Sequence, residues 1–177
     1  MDIETDVKIA GDKPSQDIKR NASAKSEQAS IDAEKKRRAK SVGRSVAAAF
    51  VNEADAAFSD VGENYDLILQ RNVLLSFAAT VGFEQYMEND TLAGLAQKSF
   101  LDNLKKLDSK LYAISSDTGA FSFYYLAFRR GSDTERRIGQ TFAMLCSHDG
   151  DPIYQELGEA IYCWFLSVIR KVINESQ

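Results

Sequence analysis

The chain has 177 residues, with 22 Lys/Arg against 26 Asp/Glu for a net charge of −4. That length suits one domain able to bury roughly two thirds of its unfolded surface. Two cysteines provide no disulfide framework, and a single histidine removes the acid–base and metal chemistries that need two or more.

Charge and aromatic content both change near Phe50. None of the Phe, Tyr or Trp residues lies in the first 49 positions. Residues 1–50 hold 11 Lys/Arg against 8 Asp/Glu, a net of +3, whereas residues 51–177 hold 11 against 18, a net of −7. Large apolar groups dominate core energetics, so the core is expected downstream of a polar arm. The acidic start, Met1-Asp2-Ile3-Glu4-Thr5-Asp6, lacks the basic-then-apolar order of a signal peptide. Uncharged stretches such as Asn72 to Phe83 and Ala160 to Ile169 fall short of the ~20 residues that span a bilayer. An intracellular, cytoplasmic protein without a membrane span is the expectation.

In chain order, residues 1–29 read as a flexible polar arm. A first helix is expected from Ser30, with a stripe at Val42, Val46, Phe50, Ala54, Ala57 and Val61 and a stop at Gly62. The basic run Lys35, Lys36, Arg37, Arg38, Lys40 lies inside it, offset by Asp32 and Glu34 four residues before Lys36 and Arg38. The second helix, about Asn64 to Glu88, is the most apolar. The third begins near Thr91 and carries the row Ala93, Ala96, Phe100, Leu104, Leu107, Leu111, Ile114. Ser116-Asp117 reads as the cap of a fourth helix, which runs through the aromatic stretch to Gly131. Ser132 and Glu135 have capping-box spacing for a fifth, which Gly150 stops. Asp151-Pro152 opens a sixth that uses Ile153, Leu157, Ile161, Trp164, Val168 and Val172. The predicted fold is all-α: about six helices over residues 30–177 in a mostly antiparallel, up-and-down bundle.

No phosphate loop, dinucleotide fingerprint, nucleophile elbow or paired-cysteine zinc motif occurs. The most site-like stretch is Cys146-Ser147-His148-Asp149-Gly150-Asp151. Cys146, His148, Cys163 and Asp151 would make a zinc set only if the turn folded back on itself, and capping and packing roles outweigh that reading. Arg129, Arg130, Arg136 and Arg137 straddle the Gly131 turn and form a candidate anion site, weighed against a solvated turn. The Lys35–Lys40 run is a candidate nucleic-acid contact, weighed against an ion-paired helix face with no aromatic to stack on bases. In the aromatic run, Phe121, Tyr125 and Phe128 share one side at helical spacing, while Phe123 and Tyr124 diverge from it. Phe121, Phe123, Tyr124 and Tyr125 are therefore the candidate interaction surface.

These residues imply a non-enzymatic helical interaction or regulatory module, with no cofactor and no metal. It would dock a protein partner or itself through its fourth and sixth helices. Two alternatives stand beside it: a helical pocket for a small anionic ligand, and a nucleic-acid-associated protein using the basic arm.

Overall fold

A computed structural model describes residues 15–60, 65–117, 119 and 121–176. Among them the chain is all-helical, with seven helices and no strand. These are α1 (Ser15–Asp60), α2 (Tyr65–Tyr86), α3 (Asp90–Leu107), α4 (Ser109–Ser116), α5 (Ser122–Arg129), α6 (Thr134–Leu145) and α7 (Pro152–Glu175). The described residues divide into two units, with the boundary between Lys35 and Lys36. No helix among the described residues is long and apolar enough to cross a membrane.

Helix α1 starts at Ser15 rather than Ser30. Its predicted stripe is buried at Val42, Val46, Phe50 and Ala54. The extension of that stripe to Ala57 and Val61, and Gly62 as its stop, falls outside the described side chains. Residues 1–14 of the predicted arm are likewise outside the described residues. At Gly43 an added Cβ would lie 2.2 Å from the Ala96 carbonyl oxygen, so α1 and α3 touch backbone to backbone. Ser99 Oγ donates to the Lys40 carbonyl at 2.7 Å across the same contact. Arg71 of α2 donates from Nη1 to the Glu53 carbonyl at 3.1 Å and lies 3.9 Å from the Glu53 carboxylate. Burial lowers the pKa of Arg71, and the Glu53 carboxylate opposes that shift.

The predicted third helix is two helices. Asp108 has extended backbone (φ −150°, ψ 110°), and its carboxylate accepts from Lys110 N and Leu111 N at 2.7 and 3.0 Å. A short acid that can cap competes with helix continuation. The break leaves Leu107 exposed while Leu111 stays in the core, so the regular sequence row is not one continuous face.

The turn chemistry also differs downstream. Asp117 is the C-cap of α4 and accepts from Gly119 N at 2.9 Å, so it does not cap the next helix, which opens only at Ser122. The capping box at Ser132 and Glu135 does not form. Gly131 and Asp133 adopt positive φ (83° and 52°), which shifts the N-cap to Asp133. The Ser132 hydroxyl instead accepts from Arg137 Nη2 at 3.3 Å. Helix α6 ends before Gly150: Ser147 takes the left-handed conformation (φ 63°), and His148 N returns to the Ala143 carbonyl at 2.8 Å. The Asp151–Pro152 start of α7 is as expected, with Asp151 Oδ1 accepting from Ile153 N at 2.9 Å.

The core of residues 36–177 is organised around aromatic contacts. Phe77 of α2 meets Phe121, Tyr124, Tyr125, Phe128 and Tyr162 with ring centroids 5.1–6.4 Å apart. Phe50 meets Phe100 and Phe165 at 5.9 and 6.2 Å. Buried rings at this spacing contribute about 0.5–1.5 kcal/mol per pair beyond their area burial.

Candidate functional site

Helix α5 is only eight residues long, and Phe121 at its N-cap makes no side-chain capping bond. Such a helix is not stable on propensity alone and is held by what it buries. Phe121, Tyr124 and Ala127 are buried, with Tyr125 and Phe128 half-buried beside them around Phe77. Once those positions face the core, the 3.6 period turns Phe123 and Leu126 to the surface. Phe123 is 51% exposed and Leu126 60%. Tyr124, expected to diverge from the core side, is fully buried instead. Of the four aromatics read as an interaction surface, Phe121 and Tyr124 therefore present no surface, and Phe123 presents most.

Beside Phe123 and Leu126 lies a groove of about 320 Å³ between α5 and α6. Each helix supplies one face at spacing i, i+3, i+4, i+7. From α5 and its end come Phe123, Leu126, Ala127 and Arg130, from α6 come Arg137, Gln140, Thr141 and Met144, and Asp149 of the following turn completes the lining. Met144 is 41% exposed. Leu126, Gln140 and Met144 were not singled out from sequence, because neither helix alone is unusual and the surface exists only where the two are apposed. Phe123 is shared with a second, more apolar groove of about 210 Å³ lined by Leu69, Val73, Ile114 and Leu145.

Of the four arginines at the turn, Arg130 and Arg137 line the groove, whereas Arg129 and Arg136 do not. Arg137 Nη1 is buried without a hydrogen-bond partner among the described residues, while its Nη2 donates to Ser132. An unmet buried donor costs roughly 1–3 kcal/mol, more when charged, and a carboxylate is the group that best relieves it.

The candidate zinc residues are placed apart in role. Cys146 is buried, and burial together with the nearby Asp66 carboxylate pushes its thiol up to about 11. Cys163 is exposed on α7, and its pKa is raised by partial burial, then by Glu135 and Glu159. His148 stacks on Tyr154 with centroids 3.7 Å apart and planes 8° from parallel, and its Nδ1 lies 3.9 Å from Asp151. Among the described residues, no three His, Cys, Asp or Glu side chains converge as ligands for a metal ion.

The basic run is on α1. Arg38 is half-buried, and Lys36 and Lys40 are exposed. Lys40 and Arg44 line a groove of about 490 Å³ opposite Lys98, Asp102 and Lys106 of α3. The sequence placed Lys40 in a linear run; its spatial neighbours come from a helix about 60 positions away.

Comparison with family models, with curated proteins and with solved structures gives no match for this chain.

Proposed function

We propose that this chain is a non-enzymatic helical interaction module, a mostly antiparallel bundle that takes an acidic, amphipathic segment of a protein partner on its α5–α6 face. One observation carries this reading: Phe123, Leu126 and Met144 stand exposed around two guanidinium groups, one of which holds an unmet buried donor. Aromatic, Met and Arg side chains are the residue types enriched in interface cores, and contiguous exposed apolar groups mark binding surfaces. The arginines select for acid at the rim. A small anionic ligand is less well supported, since only two of the four arginines share the groove and the Asp149 carboxylate lines it beside them.

The test is selection of helical peptides from a displayed library against the purified protein. Binders should be enriched in Leu, Ile or Phe flanked by Asp and Glu, and should lose affinity when presented with Phe123→Glu or Arg137→Gln. Both variants should retain the helical circular dichroism signal. Binders with no acidic bias, or binders indifferent to both substitutions, would refute the reading.

A second reading, a nucleic-acid-associated protein, is favoured by one observation only: Lys40 and Arg44 facing Lys98 and Lys106 across a groove. Counterion release would make such binding fall steeply with salt, and Arg44→Glu would abolish it.

A further inference from the structure

Helix α7 carries two seams. The inner one, Gly158, Tyr162, Phe165, Ile169 and Ile173, is buried. The other is Ile153, Leu157, Ala160, Trp164, Ser167 and Lys171, which advances in steps of four, three, four, three and four. That is heptad spacing, the pattern that keeps one stripe facing a partner helix. All six positions are exposed. Ile153 is 73% exposed, Leu157 39% and Trp164 40%. The row predicted from sequence as the core face of this helix thus splits. Ile153, Leu157 and Trp164 face outward, while Ile161, Val168 and Val172 are half-buried and flank the seam. From Ile153 to Trp164 the apolar part of the seam runs about 17 Å at 1.5 Å per residue.

The ends of the seam have opposite charge. Asp149 and Asp151 precede it, and Arg170 and Lys171 close it. Lys171 lies on the seam itself, and its Nζ is 3.8 Å from the carboxylate of exposed Glu175.

We propose that the outer seam of α7 is the self-association surface, paired antiparallel with the same helix of a second copy. Centring the two-fold axis between Ala160 and Ile161 sets Leu157 opposite Trp164 and Ile153 opposite Val168. It also sets the Asp149–Asp151 turn opposite Arg170–Lys171 at both ends. A two-fold interface uses one patch twice, so a patch with acid at one end and base at the other complements itself only when antiparallel. A parallel copy would stack Lys171 on Lys171. Ala160 at the centre leaves the two backbones free to approach closely. Apart from Asp149, which also lines the α5–α6 groove, this surface is separate from that groove and stands whether or not the groove binds a partner.

Light scattering coupled to size-exclusion chromatography, from low to high micromolar protein, should report twice the 19.7 kDa chain mass. Ile153→Glu and Leu157→Glu should each raise the dimer dissociation constant at least about tenfold while leaving the helical signal intact. Ile153 is the more exposed, so its variant guards against a loss of dimer caused by unfolding. Lys171→Glu should weaken the dimer, and adding Asp149→Lys should restore it. In a Cys163→Ser background, Ala160→Cys should cross-link under mild oxidation with copper-phenanthroline, whereas Ile153→Cys should not. A monomer at all concentrations, a dimer unmoved by both Glu variants, or equal cross-linking at 153 and 160 would overturn the proposal.

Discussion

Among the described residues, two other than glycine take the left-handed conformation, Asp133 at φ 52° and Ser147 at φ 63°. Asp tolerates that region better than most residues, because its short polar side chain bonds locally. Ser147 has less to offset the cost. It sits at the C′ position of α6, where the His148 N–H to Ala143 carbonyl bond closes the helix and glycine is the usual occupant. Ser147→Gly should therefore stabilise the fold by roughly 0.5–1 kcal/mol, since relief of the strain outweighs the added freedom of the unfolded chain. A urea titration checks it. A lower midpoint would mean that the exposed Ser147 hydroxyl serves the turn in some further way.

Tyr124 presents a different residue-scale problem. Its ring stacks on Phe77 at 5.4 Å, yet its hydroxyl is buried with no hydrogen-bond partner among the described residues. Removing an unmet buried polar atom while keeping the ring relieves a desolvation cost and leaves the packing in place. Tyr124→Phe should be neutral or stabilising by up to about 1 kcal/mol, whereas Tyr124→Ala should cost about 3–5 kcal/mol. Thermal melts of the two variants side by side separate the hydroxyl from the ring.

Among elements, the α6–α7 contact depends on two glycines. A Cβ on Gly139 would lie 2.3 Å from the Gln155 carbonyl oxygen, and one on Gly158 would lie 2.5 Å from Phe142 Cβ. The first obstacle is backbone and cannot move aside. The second is the root of a buried ring. Gly139→Ala and Gly158→Ala should each destabilise by about 1–3 kcal/mol or more, although alanine is the better helix former. Chemical denaturation would show it, and a gain in stability at either site would mean that the helices separate at little cost. Neither glycine could be read this way from sequence, where a lone Gly in a helical pattern is only a weak breaker. What was legible was local. The Asp151–Pro152 start, the α1 stripe at Val42, Val46, Phe50 and Ala54, and the outward turn of Phe123 all follow from spacing and capping chemistry. The Asp108 break, the shift of a cap from Ser132 to Asp133 and the outward seam of α7 were not legible. Each is decided by a competitor the pattern does not contain: a second use for an acid, a positive φ, or a neighbouring helix that claims one apolar face and leaves another.

For the whole molecule, burial of three ionisable groups lowers stability on the alkaline side. Tyr124 and Tyr162 are both held far above the usual phenol range, chiefly by desolvation, with Cys146 adding at Tyr124 and Glu135 adding first at Tyr162. The Cys146 thiol, ordinarily near 9.0, is held up to about 11 by desolvation and then by Asp66. Each of these groups is an acid whose pKa is higher folded than unfolded. The folded chain therefore keeps the proton where the unfolded chain releases it, and the unfolded state binds fewer protons. With that sign, stability falls as pH rises. The Cys146 contribution is intact below about pH 9, declines from there, and is gone above about pH 11. The tyrosine contributions begin to decline near pH 10. Urea midpoints should accordingly be level near neutral pH and drop progressively above pH 9. The decisive comparison is with Cys146→Ala. That variant should be less stable at pH 7.5 through loss of packing, yet show a shallower decline between pH 9 and 11. Parallel pH profiles for the two proteins would mean that the Cys146 thiol ionises alike in the folded and unfolded chains.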